Sequence, residues 1–242
     1  MKGAVHWLGE QYIRLVLRSQ AEAQRPRPIN ERPVELRFLL KCVDDLQPAC
    51  VLDVGPGESP LPAVLRNCGC QVTAVDNLSD YWRPGKRRLV NRHWHVVNDD
   101  IRRLATLPPG FDLISCISVI EHIDDATAAF RSMIDLLTPT GHLVLTCPYN
   151  EMRYVEDVYQ LTGGDLGQPQ SYRCASYNRA TIDQWLASTP AARIVAQEYW
   201  RFWAGDVWRQ GDRLARPEMT SATEPHQLTC MLIRRMPDAR LD

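Results

Sequence analysis

From residue 49 onward, short apolar runs recur with enough chain between most of them for a helix: ACVLDV, CQVTAV, HWHVV, FDLISCI and GHLVLTC. Strands alternating with helices predict a mostly parallel sheet wound on both faces. The clearest helical stretch is EHIDDATAAFRSMIDLL at 121–137. Two later runs, near 193–202 and 227–234, are joined by WAGDVWRQGDRLARPEMTSATEP, whose prolines, glycines and charges suit no helix. That pair is expected to be antiparallel. Residues 151–190 read as a helical insertion, with YNRATIDQWL its most convincing helix.

Ahead of the first strand, Val5, Leu8, Tyr12 and Leu15 fall at helical spacing, with Arg14 and Arg18 on another face. The RPRPIN stretch at 25–30 is too rich in proline for a helix or central strand and reads as a connector. A second amphipathic helix is expected over 32–46, with Asn30 near its cap and Pro33 in its first turn. The chain thus divides into an N-terminal helical cap, 1–48, and an α/β domain, 49–242. The domain is expected to be a doubly wound, mostly parallel seven-stranded sheet with an antiparallel C-terminal strand.

Composition narrows the partners. With 28 basic and 29 acidic residues the formal net charge is -1, so no global field draws nucleic acid to the chain. The eight cysteines include no C-x-x-C pair and several sit in apolar runs, which suits buried thiols in a reducing compartment. No apolar run approaches a membrane span, and arginines interrupt the N-terminal one. The expectation is a soluble, cytoplasmic protein.

The most informative segment is VLDVGPGESPLP at 51–62. An apolar strand runs into Asp53, and Gly55 and Gly57 then permit a tight turn with close backbone approach. Ser59 is expected as helix N-cap with Pro60 as the first helical residue. Such a turn offers N–H groups and a helix dipole to an anionic group. A dinucleotide fingerprint would place a third glycine at Pro60. Proline has no N–H and adds bulk there, which weakens a nicotinamide or flavin reading and leaves a smaller carboxylate-bearing ligand.

The D-x-G-x-G core and the segments after it resemble the class I, Rossmann-like, S-adenosylmethionine-dependent methyltransferases of the small-molecule branch. The chain departs from that pattern at Ser59, where a third glycine is usual. Four further segments match in order over about 49–150: VTAVDN with Asp76 and Asn77, NDDI with Asp100 and Ile101, SVIEHID with Ser118, and LLTPTGHLVLTCPYN. The resemblance implies S-adenosyl-L-methionine as cofactor. It places Asp53, Gly55 and Gly57 beside the methionine part and Asp76 with Asn77 at the ribose. Asp100 and Ile101 would meet the adenine, and Ser118 would line the site.

Methyl transfer from a sulfonium needs alignment first and a base where the acceptor loses a proton. His122, with Glu121 beside it, is the candidate base, since both follow the fourth strand at the sheet edge where ligands sit. They could equally brace the loop. The acidic group Glu121, Asp124 and Asp125 raises Mg²⁺, but acidic residues in a first helical turn are expected from the dipole alone, and no metal site is assigned. Cys147 lacks the partner motif of a nucleophilic cysteine, and CPY at 147–149 follows the wrong strand for amino methylation of nucleic acid. The basic residues Arg83, Lys86, Arg87, Arg88 and Arg92 read as a solvated loop. Tyr149, Asn150 and Tyr154, with Tyr159, could line an acceptor pocket. Trp200, Phe202, Trp203 and Trp208 read as core. The expected activity is methylation of a small-molecule or glycan-type acceptor at oxygen, without nucleic acid. The alternatives are a nicotinamide oxidoreductase or a relative that binds cofactor without catalysis.

Overall fold

The computed structural model describes residues 5–13, 15, 30–78, 91–161 and 173–237. Arg83, Lys86, Arg87, Arg88 and most of the proline-rich connector lie outside the described residues, as does the middle of the expected insertion. Among the described residues eight strands form one sheet: β1 (Cys50–Val54), β2 (Gln71–Asp76), β3 (Val97–Asn98), β4 (Phe111–Ile117), β5 (Leu137–Pro148), β6 (Ala192–Trp203), β7 (Arg213–Thr220) and β8 (Leu228–Arg235). Their order is β3-β2-β1-β4-β5-β8-β6-β7. The first five run parallel, while β8 pairs antiparallel with both β5 and β6, and β7 antiparallel with β6.

Burial explains why the central strands are apolar at consecutive positions. In β1, Val51 and Leu52 face different core clusters; Leu113 and Ile114 do so in β4, and Leu143 and Val144 in β5. A strand covered on both faces has no solvent side, so the alternation disappears. Helix α2 (Arg32–Leu46) and α3 (Leu61–Asn67) cover one face, and α4 (Ala126–Leu136) and α5 (Arg179–Ser188) the other. The α2 stripe Val34, Phe38, Leu39, Cys42 and Val43 is buried, and the helix stops at Gln47, whose φ of 47° turns the chain before Pro48. On the opposite face Phe130 of α4 stacks on Trp185 of α5 with ring centroids 5.6 Å apart.

Four expectations change. The sheet has eight strands, not seven, because β7 forms within the linker that looked irregular. Its residues are mostly exposed and include Pro217, which an edge strand tolerates because its outer N–H groups need no partner. The helix expected from 121 begins at Ala126: Ile120–His122 make a separate 3₁₀ turn, and the Asp125 carboxylate caps α4 by accepting the Ala128 N–H at 2.9 Å. The compact α/β unit begins at Glu31, so α2 belongs to it and not to a cap ending at 48. Residues 1–30 form a unit of their own containing α1 (5–13). Among the described residues of 151–190, the only helices are a 3₁₀ turn at Val158–Gln160 and α5.

Strand order reverses between β1 and β4, so connections leave the carboxyl ends of these neighbours in opposite directions. The crevice this opens is where open α/β sheets hold their ligands.

Candidate functional site

Three sequence-predicted residues meet at that crevice. Gly55 and Gly57 have φ of +69° and +55°, the left-handed region that glycine enters without a Cβ penalty. A Cβ at Gly55 would run into both γ-methyls of Val119, the farther at 2.7 Å. The Gly55 N–H donates to the Val75 carbonyl at 2.8 Å, and the Gly57 N–H donates to Asp76 Oδ2 at 3.0 Å. The turn and the end of β2 are therefore locked together. Asn91, which carried no sequence signal, fastens the turn by donating to the Gly57 and Ser59 carbonyls, each at 2.9 Å. Ser59 Oγ accepts the Leu61 N–H at 3.1 Å, and α3 starts at Leu61, one residue later than expected, with Pro60 at the cap position.

The carboxylates differ. Asp76 is pushed up from the usual aspartate range by burial, against which the Gly57 and Asn77 N–H groups act. Asp53 lies below the turn, 1% exposed; its Oδ1 accepts the Ser115 hydroxyl at 2.6 Å and its Oδ2 has no hydrogen-bond partner. Burial raises its pKa to about 7, the Ser115 hydrogen bond opposing and the charge of Asp76 adding. Asp100 grips Arg102 through three contacts of 2.6–3.0 Å and accepts that residue's N–H, capping the 3₁₀ turn Ile101–Arg103. Its pKa is held low chiefly by the Arg102 side chain. Ile101 is buried against the core beside it.

The segment after β4 is held from several sides. Ser118 has φ +51° without being glycine, and its N–H donates to Thr146 Oγ1 at 3.0 Å. Its hydroxyl turns away to Glu35 of α2. Glu35 is fully buried, also accepts from Thr146 Oγ1 at 2.7 Å, and pairs with Arg32 at 2.8 Å. Sequence reasoning missed Glu35; the signal was a carboxylate inside the apolar stripe of α2. Farther on, the Ala175 N–H donates to the Glu121 carbonyl at 2.9 Å and the Tyr177 hydroxyl to the Ile120 carbonyl at 2.8 Å.

Glu121 is 2% exposed, and burial raises its carboxyl pKa to about 8. His122, partly exposed, is shifted below its ordinary value, chiefly by desolvation. Its Nδ1 lies 2.6 Å from the Arg173 carbonyl, which only accepts, so Nδ1 carries the proton and Nε2 the lone pair. Nε2 lies 4.0 Å from Glu121 Oε1. Asp124 and Asp125 do not converge with Glu121: among the described residues the one group of three metal-competent side chains is Glu121, His122 and Cys174, its donor atoms within 4.8 Å of one another.

The acceptor-side candidates divide. Tyr149 is fully buried, stacked on His226 at 5.5 Å, with its hydroxyl donating to Glu151 at 2.8 Å, so it presents no surface to an acceptor. Asn150 accepts the Met152 and Arg153 N–H groups at 3.0 and 2.8 Å and shapes its own turn. Tyr154 is exposed. Phe202, Trp203 and Trp208 are core. Cys147 is buried and its thiol is pushed up by desolvation, the opposite of a nucleophile. All eight cysteines are free. Among the described residues no helix is long and apolar enough to cross a membrane.

The crevice suits S-adenosylmethionine. A glycine turn with two left-handed residues permits close backbone approach, and the Asp76 carboxylate closes on that turn from the end of β2. A family model described as "Methyltransferase domain" matches residues 17–201. Among curated proteins, a ubiquinone biosynthesis O-methyltransferase of Xanthomonas euvesicatoria pv. vesicatoria is 32% identical over 117 residues, 47% of this chain and 48% of that protein. One from Alkalilimnicola ehrlichii is 26% identical over 130 residues, 52% of each. The chain thus matches about half the length of these relatives. Among solved structures, the 1,6-didemethyltoxoflavin-N1-methyltransferase of Burkholderia thailandensis, with S-adenosylhomocysteine, aligns over 93% of this chain and 90% of its own at TM-score 0.53 and 15% identity. A SAM-dependent methyltransferase from Archaeoglobus fulgidus aligns over 85% and 95% at TM-score 0.55 and 15% identity. At such identities the likeness is one of fold.

Proposed function

The chain belongs to the class I S-adenosylmethionine-dependent methyltransferase family, and from that premise we propose that it methylates a hydroxyl oxygen of a small-molecule or glycan-type acceptor. The observation that carries the cofactor half of this reading is the Gly57 N–H held on the Asp76 carboxylate at the switch in strand order. When bound, S-adenosylmethionine supplies an electrophilic methyl group, which passes to the acceptor as the sulfur–carbon bond breaks and an oxygen–carbon bond forms. Gly55 and Gly57 admit the donor's amino-acid end, and Asp76 accepts from its ribose hydroxyls. The Glu121–His122 corner handles the proton that the acceptor releases. A neutral imidazole with Nδ1 anchored and Nε2 basic is the form that accepts a proton, a role that contributes about 10²–10⁴-fold. Oxygen as the acceptor atom is supported by that base and by the O-methyltransferase names of the curated relatives.

The test incubates the purified protein with methyl-labelled S-adenosylmethionine and panels of phenols, sugars and amines. Label in hydroxyl-bearing compounds is the expected result. Label confined to amines overturns the assignment of oxygen. Calorimetry that shows NAD(H) binding and no binding of S-adenosylmethionine or S-adenosylhomocysteine overturns the whole reading.

A further inference from the structure

We propose that Glu121, His122 and Cys174 hold a divalent cation of the zinc class, through which the acceptor hydroxyl is ionised. This rests on the reading above and deepens it, since the corner that handles the acceptor's proton is the same one.

The three donors come from two segments brought together by the fold. Glu121 and His122 follow β4, and Cys174 precedes α5; their donor atoms lie within 4.8 Å of one another. The Glu121 carboxylate is almost wholly removed from solvent, and its Oε2 has no hydrogen-bond partner. Buried carboxyl groups are ordinarily paired, hydrogen-bonded or bound to metal, so this oxygen calls for a ligand. Cys174 is 2% exposed, yet it stands in no disulfide.

Anchors fix each donor. The Arg173 carbonyl takes the His122 Nδ1 proton, which orients Nε2 as the donor nitrogen, the arrangement that typically positions metal-bound imidazoles. The Glu121 backbone is tied to the Ala175 N–H. The Asp157 carboxylate accepts the N–H groups of Cys174 at 3.2 Å and Tyr159 at 3.1 Å, which sets the cysteine in place. Access comes from the exposed side of His122.

One sulfur, one nitrogen and one oxygen donor form a set for zinc or cobalt and exclude magnesium and calcium, which take oxygen. Metal–ligand bonds of about 2.0–2.3 Å require the donors to close by roughly 1 Å, which the partly exposed His122 side chain can supply. Three protein ligands leave a fourth position open, as in catalytic zinc sites. An acceptor hydroxyl in that position gives its proton to solvent, and its oxygen attacks the methyl carbon while the sulfur–carbon electron pair returns to sulfur. Cys174 loses its thiol proton when the ion binds. In the loaded protein the ion occupies His122 Nε2 and replaces the imidazole as the means of ionising the acceptor.

The experiment titrates Co²⁺ into the chelator-treated 242-residue chain and follows absorption, with S-adenosylhomocysteine binding measured on the same samples. Expected are one equivalent of cobalt, intense visible bands of tetrahedral geometry and a thiolate charge-transfer band in the near ultraviolet, all displaced by Zn²⁺. Cys174→Ser should abolish the charge-transfer band, and the surface variant His122→Ala, whose fold is checked by circular dichroism, should weaken cobalt binding by more than about 10-fold. Weak octahedral bands, or a Cys174→Ser spectrum identical to the parent, overturn the site. Methyl transfer that persists without bound metal and resists chelators overturns the ionisation of the acceptor through the ion while sparing the family's activity. Failure to bind S-adenosylhomocysteine strikes at the functional reading itself.

Discussion

Replacing Gly55 by alanine tests the core of the site because the structure supplies two separate reasons for failure. At φ +69° an alanine enters the left-handed region, at about 1–2 kcal/mol. Its Cβ also collides with both γ-methyls of Val119, an overpacking penalty of about 1–3 kcal/mol. The sum, about 2–5 kcal/mol, corresponds to a fall in Tm of roughly 4–20 °C for a domain of this size. The second penalty has a specific remedy: Val119→Ala removes the clashing methyls. A double-mutant cycle by thermal circular dichroism should therefore give a coupling of about 1–3 kcal/mol, with the double variant retaining only the backbone penalty and the loss of Val119 packing. Calorimetry with S-adenosylhomocysteine should show weaker binding for Gly55→Ala and partial recovery in the double variant. Strict additivity, or a Gly55→Ala protein as stable as the parent, would refute the account of why glycine stands there.

Asp76→Ala should raise the Kd for S-adenosylhomocysteine by about 10–100-fold, since it removes the acceptor of the Gly57 N–H and, on the proposed binding mode, of the ribose hydroxyls; an unchanged Kd in a folded variant refutes the assignment. His122→Ala should lower kcat by about 10²–10⁴-fold with S-adenosylhomocysteine affinity nearly intact, and unaltered turnover would reduce His122 to a brace. Asp53 and Glu121 both bind a proton more tightly folded than unfolded, so the ligand- and metal-free protein should lose stability as pH rises from about 4 toward 8. Raising a buried carboxyl from 3.8 to about 7 corresponds to about 4 kcal/mol, and Asp53→Asn should flatten that part of the Tm–pH curve; a parent Tm that climbs with pH over this window contradicts the shift. Glu35→Ala leaves the Ser118 and Thr146 hydroxyls without their acceptor and takes the carboxylate from Arg32, and should destabilise by about 2–4 kcal/mol in denaturant unfolding, while a change under 1 kcal/mol would show that water replaces it.

Features written into consecutive residues were legible in the sequence. The strand into Gly55–Gly57, the carboxylate ending β2 and the paired Glu121–His122 all lie in short segments at or just beyond the carboxyl ends of β1, β2 and β4, so each is read from neighbouring residues. What escaped was made by contact across long separations. Glu35 reaches Ser118 and Thr146 from a helix that precedes the first strand, and only its place in an apolar stripe marks it. Asn91 grips the glycine turn from the far end of the β2–β3 connection. Cys174 meets Glu121 across a segment with no repeating pattern. Tyr149, whose place after β5 marks it as a pocket residue in the sequence, is instead sealed beneath His226 and Tyr199. The edge strand β7 shows the same limit: with one edge unpaired and little burial, it needs neither apolar residues nor freedom from proline.

Several long-range contacts converge on one stretch, residues 118–122, and the convergence has a mechanical meaning. Val119 is fixed by the missing Cβ of Gly55, Ser118 by Glu35 and Thr146, Ile120 by the Tyr177 hydroxyl and Glu121 by the Ala175 N–H. A serine at φ +51° is a backbone state of about 1–3 kcal/mol that persists only where its surroundings impose it. Methyl transfer depends on alignment, to which proper placement contributes about 7–11 kcal/mol, so a wall that cannot drift is worth the local strain. The same wall touches the glycine turn on one side and carries Glu121 and His122 on the other. On the proposed function, loosening its far anchors should misplace the Glu121–His122 corner before it disturbs the glycine turn, separating kcat from cofactor affinity.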